Sequence, residues 1–74
     1  MTIEELGKKL KEMYDNAPQG DSYAMVYLFG IKYANEIITG KHSKKEIAKT
    51  AGISENYGTE INKAIKLSKY VTIK

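Results

Sequence analysis

The sequence predicts an all-α domain of four helices followed by a short extended C-terminal tail. Apolar residues recur every three or four positions through most of the chain, which is the spacing of a helical face. Thr2 is followed three positions later by Glu5, and Ser43 by Glu46, and each pair is typical of the capping box that begins a helix. The single proline and several of the six glycines fall between the apolar segments, where they predict turns.

The helix bounds follow from these signals. We expect one domain over residues 1–74, with helices over about 3–15, 22–39 and 44–51, and a fourth running from a cap at Ser54 to about Ser68. The final segment, residues 69–74, is β-branched and aromatic, which favours an extended conformation lying on the domain.

The predicted second helix is apolar over more than half of its circumference. One stripe holds Tyr23, Tyr27, Ile31, Ala34 and Ile38, and the next holds Val26, Phe29, Tyr33 and Ile37. Such a helix belongs either at the centre of a bundle or in an oligomer interface. Gly30 lies in its middle at a cost of about 1 kcal/mol relative to alanine, so we expect a close helix crossing there.

Several classes of site are excluded by composition. Without cysteine the chain has no disulfide and no cysteine-ligated metal, and its one histidine, His42, is interpreted as an exposed loop residue because no second histidine accompanies it. The longest apolar run, residues 23–31, is far shorter than the ~20 residues that span a bilayer. We therefore expect a cytoplasmic, non-enzymatic protein with no catalytic residue, no cofactor, no metal and no membrane partner.

Charge is unevenly distributed along the chain. Residues 1–40 carry a net charge of −2 and residues 41–74 a net charge of +5, which gives the overall +3. All 12 basic residues are lysines. A basic half of this kind is what a phosphate-facing surface needs.

The basic half contains the sequence pattern of two helices joined by a tight turn. It has a small residue at the helix contact, a glycine at a left-handed turn and apolar residues that hold both helices to a third, in the order Ile47, Ala48, Ala51, Gly52, Ile53 and Ile61. Residues 44–63 resemble the helix-turn-helix superfamily, and the whole chain resembles, more loosely, small stand-alone prokaryotic helix-turn-helix-like proteins. It departs from the pattern at Gly58, where a branched apolar residue usually faces the core and where Tyr57 could fill the space.

The resemblance implies which side chains would meet DNA. The base-facing set would be Ser54, Glu55, Asn56, Thr59, Glu60, Asn62 and Lys63, and the phosphate set would be Lys44, Lys45, Lys49, Lys63, Lys66 and Lys69. Asparagine can pair with adenine, threonine can touch a thymine methyl, and glutamate can accept from cytosine. The alternative interpretation of the base-facing set is a solvated helix face.

These observations predict a helix-turn-helix module that binds duplex DNA in a regulatory or accessory role. Arginine, the commonest reader of guanine, is absent, so we expect phosphate binding to dominate over base selection. The alternative is a protein-interaction or oligomerisation module that keeps the fold without binding DNA, as a homodimer through the second helix or as a subunit of a larger complex. Helical spacing favours core packing for most of the six tyrosines over a base-stacking surface.

Overall fold

The structure, a computed structural model, describes residues 1–73 and confirms the all-α prediction. Within this part of the chain, five helices follow one another without a strand. They are α1 (Ile3–Asp15), α2 (Ser22–Lys32), α3 (Ala34–Thr39), α4 (Lys44–Thr50) and α5 (Tyr57–Leu67).

The first helix begins at the predicted capping box. The Glu5 backbone N–H donates to the Thr2 hydroxyl over 3.1 Å, and the Thr2 backbone N–H donates to the Glu5 carboxylate over 2.8 Å. These two bonds satisfy backbone donors that the first helical turn leaves without a partner. Leu6 and Leu10 of this helix are fully buried.

The predicted four-helix count is wrong, because the segment predicted as one helix over 22–39 is two helices. The chain leaves helical geometry at Tyr33, which has φ −107° and ψ 17°, and α3 begins at the next residue. Counted at 100° per residue, the buried residues Val26, Phe29, Ala34 and Ile37 share one face across this break, so apolar periodicity does not reveal it. A straight helix of this length would extend about 27 Å, whereas the break lets both halves contribute to one core.

The fourth predicted helix begins later than its predicted cap. Ser54 accepts a hydrogen bond from the backbone N–H of Asn56, and α5 starts only at Tyr57. Bonds from Tyr57 N–H to the Ser54 carbonyl and from Gly58 N–H to the Glu55 carbonyl form a tight turn that leads into the helix. Ser54 therefore stabilises the turn, and the side chains of residues 54–56 belong to a loop and not to α5.

One buried cluster joins all five helices. α5 packs along α2, and α1 packs against both α2 and α4. The cluster contains Leu6, Leu10, Val26, Phe29, Ala34, Ile37, Ile47, Ala51, Ile61 and Ile65. The apolar stripe of Val26, Phe29 and Ile37 is thus used inside the core.

The end of the chain differs from the helices that precede it. Residues 71–73 adopt neither helix nor strand, and Tyr70, Val71 and Ile73 are exposed. The extended tail over 69–74 stays a prediction, and Lys74 lies outside the described residues.

Candidate nucleic-acid interface

The turn between α4 and α5 has the geometry that a helix-turn-helix requires. Gly52 has φ +81°, and its N–H donates to the Lys49 carbonyl over 3.0 Å. The N–H of Ile53 then donates to the carbonyl of Ala48 over 3.1 Å, which satisfies a second carbonyl at the end of α4. The left-handed glycine thus closes α4, while Ile53 packs against the core.

We expect Gly52→Val to lower the free energy of unfolding by more than about 1 kcal/mol, because a β-branched residue is strained at positive φ. A Cβ atom at Gly52 would meet no atom within 4 Å, so the loss comes from the backbone alone. Gly52→Asn is the matched control, since asparagine tolerates this conformation and should lose much less. Equal urea midpoints for the wild type and the valine variant would contradict the assignment of a left-handed turn at Gly52.

Gly58 lies where the backbones of α4 and α5 meet. A Cβ atom there would lie 3.0 Å from both the backbone N and the Cα of Lys45, and Gly58 is buried. No space is left for Tyr57 to fill, so that expectation is wrong. Instead, the Tyr57 ring packs edge-on against Tyr14 at a centroid distance of 5.8 Å.

An open groove runs between the N-terminus of α4 and the outer side of α5. It brings together seven residues, namely Ser43, Lys44, Lys45, Glu55, Gly58, Thr59 and Asn62. Helical spacing places Thr59, Lys63 and Lys66 on the side of α5 opposite the buried Ile61, and all three are exposed. Asn62 is half-buried on the side of α5 that faces α4.

Glu60 is held on the other side of α5, toward α2. Its Oε2 atom accepts hydrogen bonds from the hydroxyls of Tyr23 over 2.7 Å and Tyr27 over 2.9 Å. Only 17% of its side-chain surface is exposed, and Lys63 Nζ lies 3.9 Å from the same oxygen. The structure therefore places Glu60 apart from the groove and turned toward α2.

Comparison with known families agrees with this geometry. The sequence model of a family described as an HTH-like domain matches residues 2–74. The chain belongs to this HTH-like family. No curated protein and no solved structure matches the chain.

Most of the other residues predicted to face DNA lie in the turn before α5 and along α4. Ser54 and Asn56 are exposed in the turn before α5, where with Tyr23, Tyr57 and Glu60 they line a small cleft. Glu55 is also in this turn but lies 3.8 Å from Lys45 Nζ, on the groove side. The predicted base-facing set is thus divided between two sides of α5.

The predicted phosphate-facing lysines are mostly solvent-exposed. Lys49 Nζ lies 3.7 Å from the Glu46 carboxylate on the exposed side of α4. Lys44 is half-buried at the start of α4, and Lys69 follows the end of α5. Exposed pairs at such distances contribute little to stability, so these ammonium groups stay available to other anions.

Residues 1–73 contain no group of three or more His, Cys, Asp or Glu side chains that could hold a metal ion. Among the described helices, none has the length and apolar character needed to cross a bilayer.

The contact of Glu60 with α2 was not predicted from the sequence. Helical spacing favoured core packing for most of the tyrosines, yet 52% of the Tyr23 surface is exposed and the hydroxyls of Tyr23 and Tyr27 donate to Glu60. Their spacing of four residues does predict a shared helix face. Which helix meets that face depends on tertiary packing, so the sequence carried no signal for the glutamate partner.

Glu60 makes stability depend on pH. The hydroxyl of Tyr23, followed by that of Tyr27, lowers the pKa of Glu60 below its ordinary 4.5 by donating to the charged carboxylate. A depressed folded-state pKa contributes stability that is present above pH 4.5 and is lost as the pH falls through the lowered value.

We therefore expect Glu60→Gln to be less stable than the wild type at pH 7, because the charged acceptor of two hydrogen bonds is lost. The difference should shrink as the pH falls from 4.5 through the lowered pKa, at which the carboxylate of the folded wild type becomes protonated. Urea unfolding across this range measures it. Glu12→Gln removes the same charge from the exposed part of α1 and controls for net charge. A difference independent of pH would contradict the assignment.

Proposed function

We propose that this HTH-like domain is a non-enzymatic module that binds duplex DNA in a regulatory or accessory role. The observation that carries the proposal is the lysine-rich side formed by the N-terminus of α4 and the outer face of α5. Lys44 and Lys45 border the groove, and Lys63 and Lys66 lie along the outer face of α5. In a helix-turn-helix complex this second helix enters the major groove while the first lies across the backbone.

Acidic side chains near this surface are already engaged, which supports its use for an anionic partner. Glu46, Glu55 and Glu60 each lie within 4 Å of a lysine ammonium group. Repulsion of phosphate by these carboxylates is therefore reduced. The lysine ammonium groups are point charges on flexible stems, which suits them to neutralising phosphates.

Base selection by this surface is expected to be weak. Thr59 on the outer side of α5 and the half-buried Asn62 on the side facing α4 both line the groove, and they are the side chains best placed to meet base edges. A threonine methyl can touch thymine, and an asparagine amide can pair with adenine. Neither supplies the two-pronged guanine contact of arginine, which this chain lacks. We infer that phosphate contacts provide most of the affinity.

Fluorescence anisotropy with a labelled duplex at several salt concentrations tests the proposal. We expect binding at about 50 mM salt, and the double variant Lys63→Gln/Lys66→Gln should reduce the slope of log K against log salt by about 2, since each phosphate contact contributes about 0.9. Lys8→Gln/Lys9→Gln makes the same charge change on the exposed side of α1 and should leave the slope nearly unchanged.

Two further substitutions in the same assay distinguish sequence-independent binding from recognition of bases. Thr59→Ala and Asn62→Ala should change the affinity for unrelated duplexes by similar small factors if phosphate contacts dominate. A loss of about 1–3 kcal/mol on one preferred duplex would indicate base reading instead. Absence of binding at low salt, or equal slopes for the two lysine double variants, would reject the DNA-binding proposal.

A protein-interaction role is the second candidate, and one observation favours it. Near the chain end, Leu67, Tyr70, Val71 and Ile73 are exposed, with 82% of the Tyr70 surface accessible. Exposed apolar side chains gathered in a short segment are typical of contact surfaces. Sedimentation of the wild type and of Tyr70→Ser tests this role. Self-association of the wild type that weakens in Tyr70→Ser would indicate an apolar contact through this segment.

A further inference from the structure

A small cleft beside the N-terminus of α5 combines aromatic rings with a carboxylate. It is lined by Tyr23, Ser54, Asn56, Tyr57 and Glu60 and has a volume of about 230 Å³. This is below the 300–1,000 Å³ typical of sites for drug-sized ligands, so a suitable occupant has only a few heavy atoms.

The aromatic walls of the cleft are inclined to one another. The Tyr23 and Tyr57 ring centroids are 6.3 Å apart with an interplanar angle of 59°. Because both rings line the cleft and their centroids are this close, one cation can lie within about 6 Å of both, the range over which cation–π attraction acts.

Glu60 supplies the negative charge at this site. Both tyrosine hydroxyls and the Lys63 ammonium approach its Oε2 atom, and no hydrogen bond to Oε1 is formed within residues 1–73. The same hydrogen bonds lower the pKa of Glu60, so the carboxylate remains charged at neutral pH. Oε1 is therefore an acceptor with remaining capacity on a charged group.

The helix dipole opposes a cation here, but with a smaller charge. The N-terminus of α5 carries a partial positive charge equivalent to about half an elementary charge, whereas the Glu60 carboxylate in its first turn carries a full negative charge. Lys63 Nζ stays 3.9 Å from the carboxylate, with 61% of its side chain exposed, so this pair leaves the cleft open.

We propose that the cleft between Tyr23 and Tyr57 binds a small alkylammonium ion, with Glu60 as its counter-ion. The tyrosine faces attract the cation through their quadrupoles, and the carboxylate neutralises it. The ammonium belongs either to a free amine or to a lysine side chain of another protein. The proposal does not depend on DNA binding, because the groove toward α4 and this cleft toward α2 lie on different sides of α5.

Choline and its neutral isostere 3,3-dimethylbutan-1-ol form the matched ligand pair for the test. Titration of the full chain followed by two-dimensional NMR, at constant total chloride, should shift the amide signals of Ser54, Asn56 and Tyr57 with choline. Saturation is expected with a dissociation constant on the order of 1 mM, as suits a ligand of few heavy atoms. The neutral isostere should bind much more weakly, because it lacks the charge.

Variants of the cleft identify the source of the attraction. Tyr23→Leu should weaken choline binding by about two- to thirtyfold, the range that a cation–π contact contributes. Tyr23→Phe keeps the ring and should retain more binding than Tyr23→Leu, while Glu60→Gln should weaken it through the lost charge. Tyr70→Leu alters an exposed tyrosine outside the cleft and should leave binding unchanged.

The same assay distinguishes the two sources of ammonium. Tighter binding of the peptide Gly-Lys-Gly than of n-butylammonium would indicate a lysine side chain, and equal or weaker binding would indicate a free amine. The proposal is overturned if choline and the neutral isostere bind alike, if neither gives a saturable shift, or if Tyr70→Leu weakens binding as much as Tyr23→Leu. Far-UV circular dichroism of each variant confirms that it is folded before its affinity is compared.

Discussion

Gly30→Ala is expected to lower the free energy of unfolding by about 2 kcal/mol, although alanine is the better helix former by about 1 kcal/mol. A Cβ atom at Gly30 would lie 2.5 Å from the Cβ of Ala64 and 3.1 Å from the Ile61 carbonyl oxygen. Both neighbours belong to α5, so α2 and α5 would have to separate along their shared contact. The loss is large for a chain of this size, whose whole stability is about 4–11 kcal/mol.

A second substitution checks the cause of this loss. Ala64→Gly removes the atom that the new methyl group meets, so the double variant Gly30→Ala/Ala64→Gly should regain part of the stability that Gly30→Ala loses. The coupling energy from urea unfolding of the four proteins should be about 1–3 kcal/mol, the range for residues in direct contact. Additive losses would show that the loss in Gly30→Ala does not come from contact with the Ala64 methyl group.

Features governed by local signals were predicted from the sequence. The capping box at Thr2 depends on residues three positions apart, and the left-handed turn at Gly52 depends on a glycine at the end of an amphipathic segment. Gly30 was also predicted to mark a close helix crossing, because a glycine inside a helix costs free energy unless a neighbour needs the space. Each of these signals is contained within a few residues.

Features governed by distances between helices were not predicted. The break at Tyr33 leaves the apolar face unchanged on both sides, so periodicity passes through it. Glu60 was assigned to the base-facing set because its position along α5 is correct for that role, yet the tyrosines of α2 draw it to the other side. The orientation of a side chain at the side of a helix depends on which helix packs beside it. The pattern of one sequence does not specify that arrangement.

The division of the predicted site follows from the same cause. α5 is a single helix between α4 on one side and α2 on the other. Lys45, Thr59 and Asn62 line the groove toward α4, whereas Asn56 and Glu60 line the cleft toward α2. A sequence pattern gives the positions on α5, but only the packed neighbours separate a lysine-bordered groove from an aromatic cleft.

Gly58→Ile, which introduces the branched apolar residue usual at this position of a helix-turn-helix, is expected to destabilise this domain by about 3 kcal/mol, because forcing extra volume into a packed contact displaces its neighbours. The first added atom already lies 3.0 Å from the Lys45 backbone N and Cα and 3.3 Å from the Lys44 carbonyl carbon. Backbone atoms cannot turn aside as a flexible side chain can, so α4 and α5 would have to move apart at the groove.

Gly58→Ala is the matched control for this substitution, since it adds one carbon at the same distance and gains helix propensity. We expect it to lose less stability than Gly30→Ala, because contacts of 3.0 Å need a smaller displacement than the 2.5 Å contact with Ala64. Urea midpoints with an unchanged m-value measure all three variants. If isoleucine were tolerated as well as alanine, α4 and α5 would have room for a larger side chain, and Gly58 would not set their close approach.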